Sequence, residues 1–405
     1  MIESIDMLKQ IFRIALKTVI VALLLFIGII ATTNVSAIYD FAEPRPFSGP
    51  DIYNPYRNLD TTHYWKRANL HTHTRVEGFM NECEYSADSI YNIYKSYGYD
   101  IIGFTNHNEL TVHPIDPNLQ MDIYEHGMNA LNYHIMAYGA ESVWHYDIPL
   151  PLLTSQKQFI IDKLSEDADI VQFNHPHRTL LLSREELEKL GGYQLMELTS
   201  EYANIENEHW DWALTAGHYS HGILNDDLHF PNRAMDLAVR CSFLCTPADD
   251  YESVCNTLLE GCFYSMRVPN YGSGNWDIKH ERNKHLPKVR NIGLRDNSIF
   301  IELSERADSI KFVGAGHRTL HIACDTTAAE YTMLSTDPYA RITAFYNDRA
   351  VIFSNVFARH DSTTTKSPYR PDTYSVNITL TILFNLAIAL IIAILMVLIY
   401  KVIRR

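Results

Sequence analysis

Between residues 66 and 267, short apolar runs alternate with amphipathic stretches, a rhythm that predicts an α/β architecture. Asp100–Thr105, Tyr133–Gly139, Asp169–Asn174 and Leu195–Thr199 read as buried strands. Ser86 is placed to cap a helix whose Ile90, Ile93, Tyr94 and Tyr97 share one face, with Gly98 just past its end. Ser183 and Glu186 have the spacing of a capping box before a second helix that stops at Gly191. The pattern then changes. Residues 268–290, with Gly272, Gly274 and a basic, polar run, read as a linker. Residues 291–360 alternate in strand fashion, through Ser298–Leu303, Ser309–Val313, Thr319–Ala323, Ala340–Tyr346 and Ala350–Phe353, and predict a small antiparallel β-domain. Residues 38–65 carry Pro44, Pro46, Pro50 and Pro55 and read as an irregular lead-in.

Both ends are apolar. Ile378–Tyr400 is interrupted only by Thr379, Thr381 and Asn385, long enough to cross roughly 30 Å of hydrocarbon as a helix. Residues 361–377 form its juxtamembrane lead. The basic tail 401–405, with Lys401, Arg404 and Arg405, puts the C-terminus in the cytoplasm by the positive-inside rule. At the other end, Lys9, Arg13 and Lys17 precede the apolar run Val19–Ala31 and the small residues Val35-Ser36-Ala37. Residues 1–37 therefore read either as a cleavable signal peptide or as a retained anchor. Both readings place residues 38–375 outside the cytoplasm.

Composition narrows the function classes. A formal net charge of −14 argues against a nucleic-acid partner, which needs a basic surface. Six cysteines are scattered without a CxxC pair, so a zinc ribbon is not expected. The even count permits disulfides among Cys241, Cys245, Cys255 and Cys262, without fixing their pairing.

The chemistry sits where the strands end. His71 and His73 follow Asn69-Leu70, His107 follows Ile101–Thr105, and Glu141 follows Ile135–Gly139. His175 follows Ile170–Phe173, and Asp227 and His229 follow Gly222–Leu224. In a parallel barrel such ends converge on one rim. Alternate histidines on extended backbone point the same way, so two imidazoles reach one ion. Mixed imidazole and carboxylate donors suit Zn, Mn or Fe rather than Ca.

On these residues the chain resembles the PHP (polymerase and histidinol phosphatase) superfamily. Asn69-Leu70-His71-Thr72-His73-Thr74 resembles its first motif, and Gly98–Asn108 its second. Gly139-Ala140-Glu141 resembles the glutamate motif, Asn174-His175-Pro176-His177-Arg178 the third histidine motif, and Asn225-Asp226-Asp227-Leu228-His229 the closing Asp-x-His. The resemblance implies a distorted seven-stranded (β/α) barrel over 66–267 and a hydrolase with two or three divalent ions. The Trp210–Gly217 and Leu258–Tyr264 segments and the C-terminal β-domain resemble a membrane-anchored branch. Asn106 stands where the family has Asp, and Glu77, one position offset, is the nearest match to the acidic ligand of the first motif. Glu197 matches a strand-end glutamate of the family.

The expected metal ligands are thus His71, His73, Glu77, His107, Glu141, His175, Asp227 and His229. His177, Arg178 and His229 are the expected catalytic residues, with His177 and Arg178 binding an anionic substrate. His113, His126, His134, His145, His209, His218 and His221 are expected to be structural or surface residues, with His218 the first candidate for an exception. The expected reaction is attack of a metal-bridged hydroxide on an extracytoplasmic phosphoester, small or lipid- or envelope-linked. A carboxylic ester or amide hydrolase and an inactive envelope-binding module are the alternatives. No GxSxG elbow competes with this reading.

Overall fold

The computed structural model describes residues 2–60, 65–78, 81–199, 207–268, 275–348, 350–370 and 373–404. In chain order the elements are α1 (Ile2–Thr32), β1 (Tyr39–Phe41), β2 (Asp51–Tyr53), β3 (Lys66–Asn69), α2 (Ala87–Ser96) and β4 (Ile101–Ile102). Next come β5 (Tyr124–His126), β6 (Ile135–Tyr138), α3 (Thr154–Leu164), β7 (Ile170–Phe173), α4 (Arg184–Leu187), β8 (Leu195–Glu197), α5 (Glu208–Ala216) and β9 (His221–Ile223). They are followed by β10 (Arg240–Leu244), α6 (Tyr251–Glu260), β11 (Phe263–Arg267), α7 (Trp276–Lys284), β12 (Val289–Arg295) and β13 (Ser298–Gly314). The last are β14 (Arg318–Thr332), β15 (Tyr339–Phe345), β16 (Val351–Ser354), β17 (Phe357–His360), β18 (Tyr374–Val376) and α8 (Ile378–Arg404).

The helix signals act as their chemistry requires. The Ser183 hydroxyl accepts from Glu186 N at 3.2 Å and the Glu186 carboxylate accepts from Ser183 N at 3.0 Å, closing the capping box. The α-helix it opens is shorter than the pattern implies, ending at Leu187 rather than running to Gly191. Helix α2 ends where Gly98 takes a φ of +78° and donates to the Lys95 carbonyl at 3.0 Å.

Strands β5-β6-β7-β8-β9 form one sheet, with β7, β8 and β9 parallel. Strand β6 runs antiparallel to both neighbours, pairing Glu125 with Met136 and Ile135 with Phe173. A second sheet of eleven strands contains the parallel pair β3 and β4 together with β10, β11 and the C-terminal strands. The C-terminal strands are continuous with it, because β16 pairs with β11 as well as β15. Two isolated parallel bridges, His107 with Glu125 and Thr72 with Leu228, link the sheets at one end. Below that end, Ala68, Ile101, Met136, Ile170, Leu195, Ile223 and Leu244, one from each of seven strands, pack into one buried cluster. Each of these side chains larger than Ala68 stabilises the fold by about 1.5–3 kcal/mol, so Ile170→Ala would open a cavity beneath the rim.

Of the stretch read as a linker, residues 269–274, Gly272 and Gly274 among them, lie outside the described residues; Trp276–Lys284 is helix α7, whose Lys279 is buried. The six cysteines, all among the described residues, form no disulfide.

At the termini, Met7–Thr32 and Ile378–Arg404 are long and apolar enough to cross a membrane. They lie side by side, Gly28 against Leu395. Strands β1 and β18 pair antiparallel just beyond them. The polar interruptions of α8 have a use here. Thr381 Oγ1 accepts from Ile38 N at 2.9 Å, and Asn385 Nδ2 donates to the Ser36 carbonyl at 3.1 Å. The extended chain leaving α1 thereby finds its hydrogen bonds on α8.

Candidate metal centre

The bridged end of the sheets carries a dense cluster of imidazoles and carboxylates. Glu125, 1% exposed, lies at its centre. Its Oε2 is 3.2 Å from His71 Nε2, 3.3 Å from His73 Nε2 and 3.2 Å from His107 Nε2. Its Oε1 is 3.2 Å from both His134 Nδ1 and His175 Nε2, and accepts from Asn174 Nδ2 at 2.8 Å. Asp227 Oδ1 approaches His71 Nε2 at 3.1 Å and His73 Nε2 at 3.2 Å. Glu82 Oε2 is 3.1 Å from His107 Nε2 and 3.3 Å from His229 Nε2.

The backbone aims these groups. His73 N donates to the Leu228 carbonyl and Asp227 N to the His71 carbonyl, lacing H-x-H to D-x-H. Asn106 Oδ1 accepts from Thr74 N at 2.8 Å and its amide donates to Thr74 Oγ1 at 2.7 Å, so the Asn at this position ties the first two motifs together. His175 and Asp227 both have positive φ, +24° and +52°, conformations that cost about 1–3 kcal/mol each for residues with a Cβ. Glu197 Oε2 restrains the first by accepting from His175 N at 3.0 Å.

The outer partners fix which nitrogen is available. His71 Nδ1 lies 3.0 Å from Glu197 Oε1, which leaves Nε2 facing Glu125 and Asp227. Glu197 is therefore an orienting carboxylate, and its match to a family position falls behind His71 rather than in front of it. His229 Nδ1 is 2.9 Å from the Asp227 carbonyl, presenting Nε2 to Glu82.

Electrostatics follow from crowding. Burial opposes the charged form of His71, yet Glu197, Glu125 and Asp227 outweigh it and hold its pKa well above the usual range. Burial works against ionised Glu125 and Asp227 too, but the histidines around them push both carboxylates well down. His229, resisted by burial and drawn by Glu82 and Asp227, rises to about 9. His134 moves the other way, its pKa lowered because burial exceeds the pull of Glu125.

The donor set fits divalent ions. Ligands held 2.0–2.2 Å from an ion lie about 3.0–3.4 Å from each other, which is the spacing found around Glu125. Three imidazole nitrogens on one carboxylate oxygen is poor hydrogen-bond geometry but ordinary coordination geometry. His107 Nδ1 and His175 Nδ1 are buried without a hydrogen-bond partner. Among the described residues three overlapping donor groups have atoms within 4.8 Å of one another: His71, His73, Glu125 and Asp227; His73, Glu82 and His229; and His107, Glu125 and His134.

Six of the eight expected ligands therefore meet: His71, His73, His107, His175, Asp227 and His229. Two do not. Glu141 is exposed, because β6 runs antiparallel and its C-terminal end lies away from the rim. The same reversal puts its N-terminal flank, His134, on the rim beside Glu125 of β5, which is the central carboxylate. Glu77 is exposed on a loop that folds back through Arg75 N to the Tyr85 carbonyl at 2.7 Å, and Glu82 takes the inward place. The sequence carried a signal for Glu125, a carboxylate within the short run Ile123–His126, but the assumption of uniformly parallel strands hid it. His218 lies apart, its Nε2 2.8 Å from the Glu188 carbonyl.

The expected catalytic residues line the mouth. His175, His177, Arg178, Asp227, His229 and Arg233 border a cavity of about 250 Å³. Arg178 Nη1 pairs with Asp227 Oδ2 while its side chain stays 47% exposed, so the guanidinium lies between the donor cluster and solvent.

No protein-family model and no curated protein matches the chain. Among solved structures it is similar to a two-domain protein from Bacteroides vulgatus that contains a predicted PHP-like metal-dependent phosphoesterase. The identity is 14% and the TM-score 0.36, over 77% of this chain and 98% of that one. A likeness this loose leaves the functional reading to the geometry of the site.

Proposed function

We propose that the chain is a membrane-anchored, metal-dependent phosphoesterase of the PHP type, its catalytic end extracytoplasmic and its C-terminus cytoplasmic. One observation supports this reading above the others: five imidazole nitrogens lie within 3.3 Å of the single buried carboxylate of Glu125. Seven strands contributing to one apolar cluster below that rim support a barrel of the kind the resemblance implies.

His71, His73, Glu125 and Asp227 would hold one ion; Glu82 with His73 and His229, and His134 with His107 and Glu125, offer places for more. Zn, Mn or Fe would suit these donors. Divalent ions there would bring the pKa of a coordinated water from 15.7 to around 7 and polarise a phosphoryl oxygen. The chain's own groups supply the rest. Arg178 offers a two-pronged fork to phosphoryl oxygens at the cavity mouth. His177 borders the same cavity outside the donor groups and is placed to protonate a leaving oxygen. His229, with Nδ1 held by the Asp227 carbonyl, serves as a ligand in this arrangement.

The anchor reading rests on the paired terminal helices. Ser36, within the small-residue stretch of a signal-type N-terminus, is 3% exposed and bonded to α8, which favours a retained anchor over a cleaved signal. The test is a panel of phosphomonoesters, phosphodiesters and carboxylic esters given to the full-length chain before and after ion depletion. Ion-dependent phosphoester hydrolysis, inhibited by inorganic phosphate, is expected. Hydrolysis confined to carboxylic esters and indifferent to phosphate would replace the reading with an esterase, and bound ions with no turnover would replace it with a binding module.

A further inference from the structure

Outside the terminal helices, several large aliphatic side chains stand exposed between the end of α1 and the metal centre. Leu150, Leu152 and Leu153 are 41%, 55% and 44% exposed, Leu180 and Leu181 54% and 72%, and Met128 41%. They come from three segments, and the backbone joins those segments. Ala130 N donates to the Pro149 carbonyl at 2.9 Å, and Leu180 N donates to the Leu131 carbonyl at 2.7 Å.

One end of this strip meets the anchor. Gln156, in the first turn of α3, donates to Asn34 Oδ1 at 2.8 Å, and Tyr146 OH donates to the Val35 carbonyl at 2.7 Å. Asn34 and Val35 lie two and three residues past Thr32, the last residue of α1. Trp144, Tyr146 and Phe159 gather there, with ring centroids 5.7–6.5 Å apart. Amphipathic aromatics at that level match a membrane–water boundary. The other end meets the site. Leu180 and Leu181 follow Arg178, at the cavity mouth, by two and three residues.

A water-facing surface offers no reason for aliphatic side chains to concentrate along this line, whereas a leaflet boundary does. We propose that this strip lies in the boundary layer of the leaflet from which α1 and α8 emerge, so that the metal centre opens at the bilayer surface and takes a phosphoester carried on a lipid. This deepens the anchored-phosphoesterase reading and rests on it. The helices fix the level of the surface, the strip carries that level to His175–Arg178, and Arg178 meets a headgroup phosphoryl without the lipid leaving the membrane.

The test places the full-length chain in phosphatidylcholine vesicles with acyl chains brominated near the headgroup, and compares Leu150→Trp, Leu153→Trp and Leu181→Trp with the wild type. Bromolipid is expected roughly to halve the added tryptophan's emission, since interfacial segments sit about 5–10 Å into the headgroup and acyl boundary. Quenching by aqueous iodide instead would overturn the proposal by showing the strip in water. Quenching by neither would overturn it by showing a protein covering the strip. Failure of the chain to float with vesicles would remove the anchor itself, a separate result. A turnover arm uses Leu150→Ser, Leu153→Ser and Leu181→Ser combined. Hydrolysis of a phosphoester embedded in the vesicle should fall roughly tenfold while a water-soluble phosphoester is hydrolysed as before. Equal loss on both substrates would contradict the assignment. No hydrolysis of either by the wild type would remove the phosphoesterase reading, and the quenching result would stand apart from it.

Discussion

Glu125 and Asp211 are both buried carboxylates ringed by basic side chains, yet their surroundings differ in kind. Asp211, on α5, accepts at Oδ1 from Arg341 Nε at 2.9 Å and Tyr339 OH at 3.0 Å. At Oδ2 it has Arg341 Nη2 at 2.6 Å and His317 Nδ1 at 2.5 Å. Two donors serve each oxygen, and one partner carries a permanent charge. Among the described residues no lysine or arginine forms an ion pair with Glu125; its neighbours are imidazoles, whose charge depends on pH, and they crowd three to one oxygen. The first cluster is complete as protein and ties α5 to β15. On the reading proposed above, the second becomes complete with cations among its donors. Burial of charge is common to both, so burial alone does not mark a site; the geometry and number of donors do.

The comparison breaks most visibly at Glu125. Glu125→Gln keeps the shape and removes the charge shared by two donor groups. Its metal affinity should fall by more than the roughly 10–100-fold typical of an orienting residue, with turnover at background, as measured by metal analysis and phosphoester kinetics. Next, Arg341→Met strands the Asp211 charge and should cost about 3–5 kcal/mol in denaturant unfolding without altering metal content. Metal loss in that variant, with the fold intact, would erase the distinction between the clusters. Changing Asp211 and Arg341 together to apolar residues should restore much of the stability.

A smaller effect is expected at Glu82. Glu82→Gln should weaken binding of one ion by roughly 10–100-fold while leaving the others. The matching changes Glu77→Gln and Glu141→Gln, at two exposed residues, should alter neither affinity nor rate by more than about twofold. The pH response gives a further separation. Burial raises the Asp211 pKa, but Arg341 and His317 outweigh it and the net shift is downward. Its stabilising contribution is thus present above the unfolded carboxyl pKa, near 3.9, and lost as pH falls through the lower folded value. Arg341→Met lacks that contribution, so its stability deficit against the wild type, measured by denaturant unfolding, should be full near pH 7 and narrow as pH falls through the carboxyl range.

Much of the candidate site was legible in the sequence because the H-x-H, T-N-H, N-H-P-H and D-D-x-H clusters all follow strands that share one direction. What was not legible depended on strand direction and loop closure. Hydrophobic pattern marks Tyr133–Gly139 as a strand without saying which way it runs. Reversed, the strand carries Glu141 away from the rim and His134 onto it. Glu77 and Glu82 share one loop, and only its closure through Arg75 and Tyr85 decides which faces inward. The C-terminal strands were legible as strands, but their continuity with the main sheet rests on the pairing of β16 with β11, a long-range register that periodicity does not encode.

In the proposed reading the Glu125 cluster binds divalent ions as part of its completed state. Metal analysis of the purified full-length chain, after equilibration with Zn, Mn or Fe and removal of excess ion, tests it most directly alongside Glu125→Gln and Arg341→Met. At least one tightly held ion per chain is expected in the wild type and in folded Arg341→Met, with loss of that ion in Glu125→Gln. A folded wild type that retains no ion, or a Glu125→Gln variant that retains the full complement, would contradict it.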